Sequence, residues 1–201
     1  MSLSLLNSCS LSSWPAGRVL GGFHVGAGAP PAVAWPQQHL GTPVLQGGDP
    51  LLECWVVPEG AAMQAGVHEG VRWRRSGDLL FGVIALREAD VVPGLGRSPL
   101  QQAAFDIYAR IFRLLDAQGL PHLWRLWNYM ADINGDADGL ERYRRFNMGR
   151  GDAFEAGARS VVGRVPAACA LGVASGPLTV AFLAGPTPIV PVENPRQVSA
   201  F

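Results

Sequence analysis

The chain has 201 residues, 48% of them hydrophobic, with sixteen cationic and sixteen anionic side chains. That length and apolar content supply one good core, and a formal charge of zero provides no field that would draw the chain to nucleic acid or to an anionic membrane. Every cation is Arg, so Schiff-base chemistry on a Lys is excluded while forked recognition of carboxylates stays open.

Cys9, Cys54 and Cys169 are odd in number and far apart, which argues against a disulfide framework or a zinc knuckle and suits a reduced, cytoplasmic setting. The first sixteen residues lack a basic leader with a long apolar core, and no run reaches the roughly 18 apolar residues of a membrane helix. His24, His39, His68 and His122 are not at ligand spacing, so no metal is expected; no nucleotide-binding glycine motif is complete, and no cofactor is expected either.

In chain order, residues 1–50 are rich in Gly and Pro and read as an arm with short extended runs at Val19–Val25, Ala32–Trp35 and Pro43–Gln46. A second unit is expected over residues 51–184. Leu51–Val57 reads as a strand, and Gly70–Arg75 and Leu79–Leu86 flank Ser-Gly-Asp as a hairpin. Ser98-Pro99 opens a helix with Ser98 as cap and Gly119 as stop, and the recurrence of Leu100, Ala103, Ala104, Ile107, Tyr108, Ile111, Leu114 and Leu115 gives it one apolar face.

Leu123–Met130 is a Trp-rich strand whose alternation places Leu123, Arg125, Trp127 and Tyr129 on one face and Trp124, Leu126, Asn128 and Met130 on the other. Both faces are largely apolar, so the strand should be covered on both sides. A charged Arg125 there needs a carboxylate in the protein or an anionic ligand. Asn134, Asp136 and Asp138 imitate the start of a calcium loop, but Arg145 stands where the closing Glu belongs. The plainer reading is a turn and a helix cap in which Asp138 accepts from the amide of Glu141. A second helix, with Arg142, Arg144, Arg145 and Arg150, follows. Pro166–Ala174 and Leu178–Ala184 read as a closing hairpin, and residues 185–201 as a Pro-rich strap or linker.

This order predicts an α+β fold, a mixed sheet covered on one face by two helices, with the other face, if apolar, buried by another copy or another domain. The element order resembles the RidA and chorismate mutase-like fold. More specifically, Arg125-Leu126-Trp127-Asn128-Tyr129, Asp132-Ile133-Asn134, Glu141-Arg142-Tyr143, Phe146, Gly149-Arg150 and the stretches Leu178–Gly185 and Glu193–Phe201 resemble the chorismatase family, also labelled pteridine-dependent deoxygenase-like. The resemblance implies action on chorismate, by hydrolysis or by conversion to hydroxybenzoate with loss of pyruvate. It also implies a place in secondary metabolism and a second domain of related fold that would carry the catalytic acid.

No catalytic residue is assigned in this chain. A dianionic substrate calls for Arg forks and polar neighbours, and Arg125, Asn128, Tyr129, Arg142, Arg150 and Arg196 are the candidate substrate-binding residues. Glu53 and Glu141 are weaker candidates for an acid, since a strand-face polar group and a helix cap explain them. The partners expected are a small carboxylate, chorismate, and either a second copy or a second related domain. The alternative is a RidA-like domain without catalysis that oligomerises or binds small carboxylates. Deamination of enamines or imines is a more remote reading, because Ala168 stands where that activity's carboxylate-binding Arg would be.

Overall fold

The structure, a computed structural model, describes residues 3–8, 15–45, 50–94, 96–137, 139–159, 165–190, 196 and 198. Its strands are β1 (Ser4–Ser8), β2 (Val19–Val25), β3 (Gln37–Leu40), β4 (Leu51–Val56), β5 (Gln64–His68), β6 (Val71–Ser76), β7 (Leu79–Leu86), β8 (His122–Ala131), β9 (Asp136–Ala137), β10 (Leu140–Glu141), β11 (Ala167–Val173) and β12 (Leu178–Gly185). The α-helices among the described residues are α1 (Pro99–Gln118) and α2 (Arg142–Ala156), with short 3-10 turns at Ala16–Arg18 and Glu88–Asp90.

A six-stranded mixed sheet runs β11-β8-β12-β7-β6-β5. The β6–β7 hairpin closes at Ser76↔Leu79 as the Ser-Gly-Asp signal predicted, with Gly77 supplying φ +56° at the turn. Helix α1 also starts and stops where the sequence signals place it: the Gln101 amide donates to Ser98 Oγ at 3.2 Å, and Gly119 ends the helix at φ +64°. The apolar face of α1, with Phe146, Ala153 and Phe154 of α2, packs on Leu80, Ile84, Leu126, Met130, Val180 and Phe182. Both helices therefore cover one face of this sheet.

The other face is covered from within the chain. Strands β1, β4, β2 and β3 form a second sheet in that order. Leu20 and Phe23 of β2 and Trp55 of β4 meet Leu79, Phe81, Val83, Trp124, Trp127, Ala181 and Leu183 in an interlayer core. The expectation of an apolar face awaiting another copy or domain is corrected here: the Gly- and Pro-rich N-terminal region supplies the cover. No sheet boundary falls at residue 50, because β4 pairs with β2 and β1. Arg74 of β6 fastens the second sheet to the first by donating to the carbonyls of Ala16, at 3.1 Å, and Val19, at 2.6 Å. Gln38, wholly buried on β3, donates to Trp127 O at 3.1 Å. The third extended run is Gln37–Leu40 and not Ala32–Trp35, and the described part of Pro43–Gln46 forms no strand.

A further correction concerns strand order. The segments read as a closing hairpin are not neighbours: β8 lies between β11 and β12, parallel to the first and antiparallel to the second. The Ser-Gly-Pro stretch is thus a connection across one strand. The expected cap residue Asp138 lies outside the described residues; among those described, α2 begins after Glu141, whose side chain makes no cap hydrogen bond, and Asp136 Oδ1 accepts from the Gly139 amide at 2.8 Å.

Candidate functional site

The site is built on β8. Its predicted alternation holds from Arg125 onward, with Leu126 and Met130 in the helix-side core and Trp127 in the interlayer core. It fails before that point. The β12 register passes from Leu183↔Arg125 to Ala184↔Leu123, so Trp124 has no opposite residue and bulges to the interlayer side while Leu123 goes to the helices. Gly185 makes the bulge possible, since a Cβ there would lie 2.0 Å from the Trp124 ring.

On the interlayer side, Trp127 forms an aromatic floor against Phe23 (ring centroids 5.1 Å apart, 66° between planes) and Trp55 (6.4 Å, 44°). The Arg125 guanidinium lies 5.5 Å from the centre of the Trp127 ring. Among the described residues Arg125 forms no ion pair. Tyr129 is next along this face, and its phenol is pushed up first by burial, then by Cys169 and Glu53, with Arg125 opposing. Cys169 is in register with Trp127 on the neighbouring β11, and Glu53 stands on β4 across the interlayer gap. Arg125, Tyr129, Glu53 and Cys169 are all half-buried. The Trp55 Nε1 hydrogen is buried without an acceptor among the described residues. The group offers a guanidinium without an ion pair among the described residues, a hydroxyl and an indole N–H beside an aromatic surface, a set suited to an anion carried on a flat apolar body.

The remaining sequence candidates lie elsewhere. Asn128 faces the helices at 1% exposure; its Oδ1 accepts from Tyr108 Oη at 2.7 Å and its Nδ2 donates to Cys169 O at 2.7 Å. Both ends of that amide are engaged, which makes it a brace between α1 and β11. Arg142 grips Glu88 through Nη1–Oε2 at 3.1 Å and Nη2–Oε1 at 2.5 Å, so its fork is occupied. Arg150 stacks over Tyr108 and Phe154 on the helix side, lining a cavity of about 190 Å³ with Asn147, Gly151 and Val165. Arg196 is exposed. Of the six predicted residues, the structure brings Arg125 and Tyr129 together and separates the others.

The side chains that join Arg125 and Tyr129 on this face, Glu53, Trp55 and Cys169, did not stand out in the sequence as one group. The alternation of β4 carried part of the signal: Leu52, Cys54 and Val56 are buried, leaving Glu53 and Trp55 on the face toward β8. Among the described residues no group of three or more His, Cys, Asp or Glu is arranged to hold a metal, and no helix is long and apolar enough to cross a membrane.

Comparison with known proteins places these features. Residues 53–184 match the family model "Chorismatase FkbO/Hyg5-like, N-terminal". A chorismatase of Streptomyces rapamycinicus is 40% identical over 140 residues, covering 68% of this chain and 39% of the relative. A 3-hydroxybenzoate synthase of Streptomyces hygroscopicus is 35% identical over 155 residues, covering 76% of this chain and 42% of the relative. A chorismatase crystal structure superposes with a TM-score of 0.76 at 28% identity, over 94% of this chain and 55% of that one. The chain thus spans about two fifths of the length of the curated relatives it matches. With its mixed sheet, paired helices and matching core segment, the chain belongs to the chorismatase family and corresponds to that family's N-terminal domain.

Proposed function

We propose that this chain is the N-terminal part of a chorismatase-type protein that acts on chorismate, releasing pyruvate when joined to the remainder of such a protein, and that Arg125 holds one of the substrate's carboxylates. The observation that carries the proposal is the half-buried Arg125 fork, without an ion pair among the described residues, set between the Trp127 ring and Tyr129 inside the segment matched by the family. Chorismate has the corresponding chemistry: one carboxylate on a compact unsaturated ring and a second on its enolpyruvyl ether, which a guanidinium and an aromatic surface recognise together. Arg150, above its own cavity on the opposite face of the sheet, is a second anion site in this proposal. The acid that protonates the enol ether belongs to the remainder of the protein, and the free thiols of Cys54 and Cys169 support a cytoplasmic setting.

A calorimetric titration with chorismate tests the binding half of this proposal. The wild-type chain should bind, Arg125→Ala should lose at least tenfold in affinity, and Arg142→Ala, whose fork is already occupied by Glu88, should bind like wild type. Equal affinity for Arg125→Ala and wild type would overturn the assignment. Binding without pyruvate release by the chain alone agrees with it.

A further inference from the structure

Strand β3 buries alternate residues, Gln38 and Leu40, against the six-stranded sheet. A Leu belongs there; a Gln needs a reason. Its amide Nε2 donates to Trp127 O at 3.1 Å and to Thr179 Oγ1 at 3.4 Å, while its Oε1, equally buried, meets no donor among the described residues. An enclosed acceptor left unpaired weakens a fold, and an apolar side chain of the same length would remove the defect. Stability alone therefore does not account for Gln38, and such breaches of local consistency gather where function needs them. Both groups its amide reaches belong to the candidate site: Trp127 is the aromatic floor, and Thr179 stands opposite Tyr129 on β12.

We infer that Gln38 is a positioning residue, acting through Trp127 to set Arg125 and Tyr129 at the angle from which they meet an anion. Gln38 is in register with Phe23 on β2, whose ring packs on the Trp127 ring with centroids 5.1 Å apart. Neighbouring strands of the second sheet thus hold one residue at two points, Phe23 by the ring and Gln38 by the main-chain carbonyl. Arg125 and Tyr129 are the next residues on the same face to either side of Trp127, so a roll of β8 about its own axis would swing both away from the gap. The other side-chain ties between the sheets cannot prevent that roll. They run from Arg72 and Arg74 on β6, which lies three places from β8 in the sheet, to carbonyls of Val33, Trp35, Ala16 and Val19. This inference rests on the reading of Arg125 as an anion site.

Gln38→Met, which keeps the length and removes the amide, tests it with two readouts. The first needs no ligand. In the wild-type chain the Trp127 ring displaces the NMR signal of the Arg125 Nε–H group, and in Gln38→Met that signal should move toward the position of a solvated Arg, while the Arg142 signal, held by Glu88, stays. The second is calorimetry with chorismate, where the variant should lose about fivefold or more in affinity although its urea midpoint is no lower than that of wild type. An Arg125 signal that does not move overturns the inference whether or not chorismate binds, and so does wild-type affinity in the folded variant. A wild-type chain that ignores chorismate, with an Arg125 signal that still moves in Gln38→Met, overturns the ligand assignment and upholds the positioning by Gln38. If Gln38→Met does not fold, Thr179→Val takes its place: it is isosteric, frees the Gln38 amide from one of its two acceptors, and should shift the Arg125 signal in the same direction by less. No shift there overturns the inference.

Discussion

Tyr108→Phe is the substitution whose consequence follows most directly from the structure. It removes one oxygen and no volume, and leaves Asn128 Oδ1, in a side chain 1% exposed, without the donor now 2.7 Å away. An orphaned buried acceptor costs about 1–3 kcal/mol. In a domain of this size that lowers the unfolding midpoint by about 2–12 °C, at about 2–4 °C per kcal/mol. Asn128→Leu strands the Tyr108 hydroxyl and the Cys169 carbonyl, and should cost a similar amount. In the double variant Tyr108→Phe/Asn128→Leu the bond between the two side chains is missing from both ends, so the singles should sum to about 1–2 kcal/mol more than the double. Urea unfolding followed by circular dichroism measures all four proteins. If Tyr108→Phe lies within about 0.5 kcal/mol of wild type, or the two changes simply add, the bond is not the brace described here and Asn128 returns as a ligand-binding group.

Other outcomes can be stated more briefly. Gly149→Ala should destabilise by about 1–3 kcal/mol or more, since its Cβ would sit 2.0 Å from Gln101 O where α2 crosses α1, and backbone cannot step aside; thermal unfolding checks it. The imidazoles of His24 and His39 meet at Nδ1–Nδ1, 2.9 Å apart, and His24 is held below the ordinary histidine value by burial first and by His39 second. The unfolded chain thus binds that proton more tightly, so stability should be full above roughly pH 6.5 and lost as pH falls through that value. His24→Asn should flatten this slope in pH-dependent urea titrations. Burial pushes the Cys54 thiol up to about 12, so Cys54 should resist alkylation in the native protein while half-buried Cys169 reacts, a difference that peptide mass spectrometry reads and denaturant should erase.

Local signals in the sequence were strong where one stretch determined its own structure. Ser98, Pro99 and Gly119 define α1, and Ser-Gly-Asp defines the β6–β7 turn, because caps and turns are settled within a few residues. The face of β8 that carries Arg125, Trp127 and Tyr129 was legible from its period of two. What escaped was set by distant partners. The Trp124 bulge depends on the space left by Gly185, and nothing near Trp124 announces it. The insertion of β8 between β11 and β12 is a choice between two apolar neighbours that look alike in sequence. The N-terminal region read as an arm because its strands are short and Gly-rich, yet Gly21 is where a bare backbone lets the Phe81 ring approach, with a virtual Cβ only 2.1 Å away. For the site, Arg142 and Arg125 were equivalent candidates until Glu88 occupied one fork and Trp127 lay beneath the other.

The most direct measurement of the central claim is pyruvate release from chorismate by a chimera in which this chain replaces the matched segment of the Streptomyces rapamycinicus chorismatase. A chimera with a cooperative unfolding transition should release pyruvate, and its Arg125→Ala variant should be slower by at least an order of magnitude. A folded chimera that releases none, or an Arg125→Ala chimera as fast as its parent, would contradict the account.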